Sequence, residues 1–146
     1  MGIADFSAKR SKDPNTQVGA CAVDATHRIV SIGYNGMPNR INDDEITWER
    51  DGNPLDTKYM YVCHAEENTI MNAPRKDLSD CTMYVTLFPC HNCAKLIIQS
   101  GVTHIIYKED KYHDTESSIA ARKLFDMAQV TYEPYRVTDR IVELQL

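Results

Sequence analysis

The chain has 146 residues, 42% of them hydrophobic and 25% charged, and a formal net charge of -5, which fits one globular domain able to bury a substantial core. The acidic balance argues against a protein that wraps a polynucleotide, because such proteins present a broad basic surface; a small substrate held in a locally basic pocket stays open. No run approaches the roughly 20 apolar residues of a membrane span and the start lacks a signal-peptide pattern, so a cytoplasmic protein without a membrane partner is expected, and its five cysteines suggest metal or redox chemistry rather than a disulfide scaffold.

The opening MGIADFSAKRS carries Ile3 and Phe6 three apart, the pattern of a short helix, with no capping residue before it, as if a longer helix were clipped. After the turn KDPN come QVGACAV and RIVSIGY, two β-rich runs joined by DATH, which predict an antiparallel hairpin. From Gly36 to about Tyr59 no helix or strand period exists, only polar residues, Gly52, Pro38, Pro54 and the acidic trio Asp43, Asp44 and Glu45. A loop of this length in a compact domain is either functional or a mobile insertion.

HAEENTIMNA then reads as a helix stopped by Pro74, followed by the strand TMYVTLF, the helix AKLIIQS ending at Gly101, and the strand VTHIIYK. A further helix from about Glu116 to Ala128 leads to VTYEPY, so the last three strands are expected to run parallel, with helices on both faces of the sheet. The terminal RIVELQL is either a ragged end or an extra edge strand.

Chemistry concentrates in FPCHNCAKL, where Pro89 suits the first position of a helix and Cys90 and Cys93 fall at its start. Free backbone N–H groups and the positive helix end favour thiolate there, the form that binds metal. Two thiolates are half of a tetrahedral zinc site, and His64, opening the preceding helix, is the best third ligand. Three protein ligands leave one position for water, the arrangement of a catalytic zinc rather than a structural one. Glu66 lies two residues after His64, and in a regular helix the two side chains point apart. They can serve one site only if His64 precedes the regular turns, with Glu66 left off the metal to carry protons. A thioredoxin-like redox pair is the rival reading of Cys90 and Cys93 and leaves His64 and Glu66 unexplained. His91, between the cysteines, faces away if they point inward; His27 reads as a turn residue, His104 as a strand residue, and Cys21, Cys63 and Cys81 as small buried hydrophobes. His113 follows a strand end, where ligands of parallel sheets bind.

The order H-x-E followed by P-C-x-x-C is an established signature of zinc nucleobase deaminases. Beyond it, RSKDPNTQVGA, GYNGMPN, LDTKYMYVCHAE, MYVTLFPCHNCAKLIIQSG and DKYHD together resemble the zinc-dependent cytidine and deoxycytidylate deaminases from about residue 7 to residue 135, most closely those that convert dCMP to dUMP. The resemblance implies a single domain over 1–146 with a three-layer α/β/α fold around a five-stranded mixed sheet. It also implies Zn2+ on His64, Cys90 and Cys93, and a water that attacks C4 of cytosine while Glu66 protonates N3 and then the leaving amine. It further implies that Asn35 and the backbone N–H of Ala65 hold the nucleoside, unless Asn35 only shapes the Asn-Gly turn. Ser11, Lys12 and Tyr112 are its first choices for the phosphate, with Arg10, Lys111 and His113 behind them. Members of the family are commonly hexamers activated by dCTP and inhibited by dTTP with Mg2+, which places effector residues at Gly36, Asn39, Asp43, Asp44 and Arg50 in the long loop, the acidic trio facing magnesium. The rival readings are a deaminase of a free nucleoside or of a polynucleotide, and a noncatalytic zinc-stabilised binding module.

Overall fold

The hairpin expected around DATH is closed by Asp24, whose Oδ1 accepts from the backbone N–H groups of Thr26 at 2.8 Å and Arg28 at 3.0 Å. His27 takes the left-handed conformation, with φ 64°, and lies exposed in the turn, a conformation that a short polar residue tolerates better than a branched one. In the computed structural model, which describes residues 1–138 together with 141 and 143, the hairpin strands are β1 (Gly19–Asp24) and β2 (Ile29–Tyr34). They extend a sheet with β3 (Cys81–Leu87), β4 (His104–Glu109) and β5 (Thr131–Pro134) in the order β2-β1-β3-β4-β5.

Strand β1 runs antiparallel to both β2 and β3, whereas β3, β4 and β5 are mutually parallel, as expected from the intervening helices. The crossovers are α3 (His91–Gln99) and α4 (Glu116–Met127), preceded in the chain by α1 (Gly2–Ala8) and α2 (Ala65–Asn72). Glycine reports how closely two helices approach the sheet. A Cβ added to Gly19 would meet Ala4 and Ala8 of α1, whereas one added to Gly33 would meet Ala65 and Thr69 of α2. Gly33 pairs with Ala20, the neighbour of Gly19, and successive residues of a strand point to opposite faces. Hence α1 covers one face and α2 the other, with α3 packed beside α2 and α4 beside α3.

The core lies mainly between the sheet and α2, α3 and α4, with Met83, Val85, Ile97, Ile105 and Phe125 fully enclosed. Gly101, φ 87°, ends α3 in a conformation that suits glycine. Pro89 does not open α3: Cys90 is the N-cap and His91 the first helical residue, so the proline rigidifies the approach instead. Cys63 is also only half-buried, because it lies outside the core in a backbone bridge with Gly36, whereas Cys21 and Cys81 are buried. The loop from residue 36 onward contains two short 3-10 turns, Pro54–Asp56 and Lys58–Met60, the first capped by Asn53 accepting from the Leu55 N–H. The possible edge strand at RIVELQL falls largely outside the described residues.

Candidate active site

Because β1 is antiparallel to β3, the start of β1, the end of β2 and the carboxyl ends of β3 and β4 meet at one edge of the sheet, toward which α2 and α3 point their N-termini. This is where ligands bind in open α/β sheets. A pocket of about 370 Å³ lies there, lined by Val18 and Asn35 from the hairpin, Leu87 and Phe88 from β3, and Tyr112 from the β4–α4 connection.

Its deep end holds the chemistry. His64 is the N-cap of α2, in an extended conformation with φ -78° and ψ 161°, so the 3.6-residue period does not apply to it. From there its Nδ1 lies 3.5 Å from Cys90 Sγ and 3.4 Å from Cys93 Sγ. Glu66 falls in the first turn of α2 and is 4% exposed. The backbone N–H of His64 donates to Glu67 Oε2 at 3.4 Å, which steadies the entry to the helix.

The three donor atoms lie within 4.8 Å of one another. An ion with Zn–S of about 2.3 Å and Zn–N of about 2.0–2.1 Å in tetrahedral geometry holds its sulfur and nitrogen donors about 3.5 Å apart, which the two His64–sulfur distances match. Proton sharing within the trio agrees. A hydrogen bond from Cys93, with help from His64, lowers Cys90 to about 3, so it is a ready thiolate. The Cys93 thiol is raised by that same bond and by burial, and a metal would have to displace its proton. The bond to Cys90 raises His64 to about 9 against the opposing effect of burial. Burial lifts the carboxyl of Glu66 to about 7, poising it to exchange protons near neutral pH. His91 lies outside the trio, its Nδ1 2.9 Å from Ser117 Oγ.

Of the expected substrate residues, Asn35, Ala65 and Tyr112 line the pocket, as does Arg50, which the sequence grouped with the effector loop. Asn35 is buried and heavily engaged. Its Oδ1 accepts from the Val18 N–H at 2.8 Å, and its Nδ2 donates to Thr16 O at 2.9 Å and Asp13 Oδ2 at 3.3 Å. Ser11 is buried outside the lining with its Oγ accepting from the Asp13 N–H. Lys12 is also outside it, 3.6 Å from Asp43 and 4.0 Å from Asp44. Arg10 stacks over Tyr34, Lys111 borders a second cavity and stacks over Tyr112, and His113 is exposed beside Asp110 O. Gly36 bridges Cys63, Asn39 is exposed, and Asp43 accepts from the Met37 N–H.

One pair in the wall escapes a reading of the sequence: Asp13 and Lys58, 45 positions apart, form a buried ion pair at 2.5 Å. Asp13 Oδ1 also accepts from the N–H groups of Asn15 and Thr16, so one carboxylate ties the approach to β1, Asn35 and the long loop together. No local period or motif announces it. The other wall is braced by Phe88, edge-on to Tyr107, Phe125 and Tyr132, with Arg122 over its ring and ion-paired to Asp110 just before Tyr112.

Comparison with known proteins agrees with this geometry. Residues 1–109 match the cytidine and deoxycytidylate deaminase zinc-binding region. The chain is 58% identical to the deoxycytidylate deaminase of Pongo abelii and 57% identical to that of Homo sapiens, in each case over 136 residues, 92% of this chain and 76% of the relative. Its fold resembles that of the dCMP deaminase from the cyanophage S-TIM5, crystallised in complex with dCMP and dUMP, with TM-score 0.71, 24% identity and 92% of both chains covered.

Proposed function

The chain belongs to the cytidine and deoxycytidylate deaminase family, and from that premise we propose that it hydrolyses dCMP to dUMP and ammonia. The observation that carries this reading is Glu66, enclosed at 4% exposure beside the His64, Cys90 and Cys93 donors in a pocket large enough for a small ligand. Zinc, when bound by these three residues, supplies the Lewis acidity that brings a water close to ionisation near neutral pH.

Glu66 takes a proton from the attacking water and delivers protons to N3 of the cytosine ring and then to the departing amine. The water oxygen becomes the new C4 carbonyl as ammonia leaves. Burial serves this role twice: it keeps the Glu66 carboxyl near neutrality in proton affinity, and it excludes bulk water that would exchange those protons. Ala65, at the first helical position, has an N–H without an intrahelical partner and donates it to the base carbonyl. Asn35, its amide fixed by Asp13, Thr16 and Val18, offers the remaining lone pair of Oδ1 to a substrate hydroxyl. Tyr112 lines the pocket on the β4–α4 side.

Ammonia release from dCMP, deoxycytidine and an oligonucleotide, measured side by side, tests this reading. We expect dCMP to be preferred; preference for the oligonucleotide or the nucleoside contradicts the substrate assignment. Glu66→Gln separates an enzyme from a zinc-stabilised binding module, since the enzyme loses turnover while keeping zinc.

The family resemblance also supports a homohexamer in the cytoplasm that supplies dUMP for dTTP synthesis, activated by dCTP and inhibited by dTTP with Mg2+. The effector falls on the loop carrying Gly36, Asn39, Asp43 and Asp44. Among the described residues only His64, Cys90 and Cys93 gather three metal-capable donors, so magnesium at this loop would take most of its oxygens from the triphosphate and water. Substrate-rate curves that are identical with and without dCTP would remove the regulatory part of the reading.

A further inference from the structure

Arginine and lysine meet different fates in the pocket wall. Its lining contains one of each, Arg50 and Lys58. Lys58 is spent internally: its ammonium lies 2.5 Å from Asp13 Oδ2, with side-chain exposures of 6% and 2%, so the pair adds no net charge to the cavity. Arg50 is exposed and, among the described residues, makes no ion pair with a carboxylate. Its Nε donates to Tyr59 Oη at 2.9 Å and its guanidinium also faces the Tyr112 hydroxyl, so among the described residues no carboxylate engages its paired Nη donors.

Burial also orders the pocket from floor to rim. Glu66 and Ala65 are enclosed, whereas Tyr59 is 55% exposed and Tyr112 is 40% exposed. Arg50 therefore sits with two phenols at the open end, while the proton-carrying carboxyl lies at the closed end. A ligand spanning the pocket presents its uncharged reacting end to the floor and its other end to a planar cation flanked by hydroxyl groups. That rim matches a phosphate, which a guanidinium can hold through two parallel hydrogen bonds. The chain as a whole carries -5, so general attraction does not recruit an anion here and a local cation must. Lys12, the earlier candidate, directs its charge to Asp43 and Asp44 and does not line the pocket.

We propose that Arg50, oriented by Tyr59 and joined by Tyr112, binds the 5′-phosphate and so determines the preference for a nucleotide over a nucleoside. The proposal rests on the functional reading above. It makes the long loop a wall of the substrate site as well as a surface segment.

The test compares the wild-type chain with Arg50→Ala, Arg50→Lys, Tyr59→Phe and Lys12→Ala, measuring kcat/KM for dCMP and for deoxycytidine. Calorimetric binding of dUMP and deoxyuridine supplies a second readout that needs no turnover. Arg50→Ala should reduce the dCMP-to-deoxycytidine ratio about 10- to 100-fold, the range for hydrogen bonds to a charged group, and weaken dUMP far more than deoxyuridine. Arg50→Lys should recover part of that preference, and Tyr59→Phe should lose a smaller part. Equal losses on both substrates and both products would mark Arg50 as merely structural and overturn the proposal, as would an unchanged ratio. Loss of the preference in Lys12→Ala alone would move the phosphate to the N-terminal segment and also overturn it. Wild-type turnover of neither substrate would sink the functional reading itself, a result distinct from these.

Discussion

The floor and the rim of the pocket are built on different principles. The floor stands on two helix N-termini, where His64, Cys90 and Cys93 are fixed by the first turns of α2 and α3 and Glu66 is sealed from solvent. The rim is made of connections, with Arg50 and Tyr59 from the loop before α2 and Tyr112 from the loop before α4, and it is open to solvent. Rigid elements suit the chemical step, which tolerates little misplacement. Exposed loops suit the choice of what enters, because their side chains can change without disturbing the core.

This contrast predicts a gradient of effects. Replacing Cys93 by Ala should be the most severe change, removing a ligand and with it both zinc and turnover; metal content and ammonia release measured on the same sample check it. Full activity with zinc retained would show that the floor is not the metal site. Glu66→Gln should come next, lowering kcat by about 10²- to 10⁴-fold, the usual range for a proton-transferring group, with zinc content unchanged.

Between floor and rim stands the buried Asp13–Lys58 pair. Lys58→Met leaves the Asp13 carboxylate uncompensated among buried groups, and such a loss costs about 3–5 kcal/mol. Thermal unfolding should fall by roughly 10 °C for a chain of this size, and adding Asp13→Asn should restore part of it. If Lys58→Met melts like the wild type, the pair does not tie the wall. Gly33→Ala should act more mildly on the floor. Its Cβ would sit 2.4 Å from Thr69 N and 2.5 Å from Ala65 O, both backbone atoms of α2, so the helix must shift, with overpacking costs of about 1–3 kcal/mol. Denaturant unfolding and zinc affinity should both weaken, whereas Gly36→Ala, where the nearest atom is 3.8 Å away, should do neither.

The same division explains what could be read from the sequence. His64, Glu66, Cys90 and Cys93 are legible because short, chemically distinctive spacings place them on predictable helix starts. The hairpin and the three parallel strands are legible because apolar runs and turn residues alternate along the chain. Pro89 misleads by two positions: it precedes the N-cap Cys90, and the first helical residue is His91. Asp13 and Lys58 meet only through folding, 45 positions apart, and no local pattern marks either. Arg50 is legible as part of a long polar loop but not as a pocket residue, because the path of that loop is set by contacts such as the Gly36–Cys63 bridge and the Lys58 N–H to Glu49 O bond.

X-ray absorption at the zinc edge on the full chain tests the floor most directly. Two sulfur neighbours at about 2.3 Å and two lighter donors at about 2.0–2.1 Å are predicted, with one sulfur lost in Cys93→Ala if any zinc is retained. Three or four sulfurs, none at all, or a wild-type spectrum from the variant would contradict a site built on one imidazole and two thiolates.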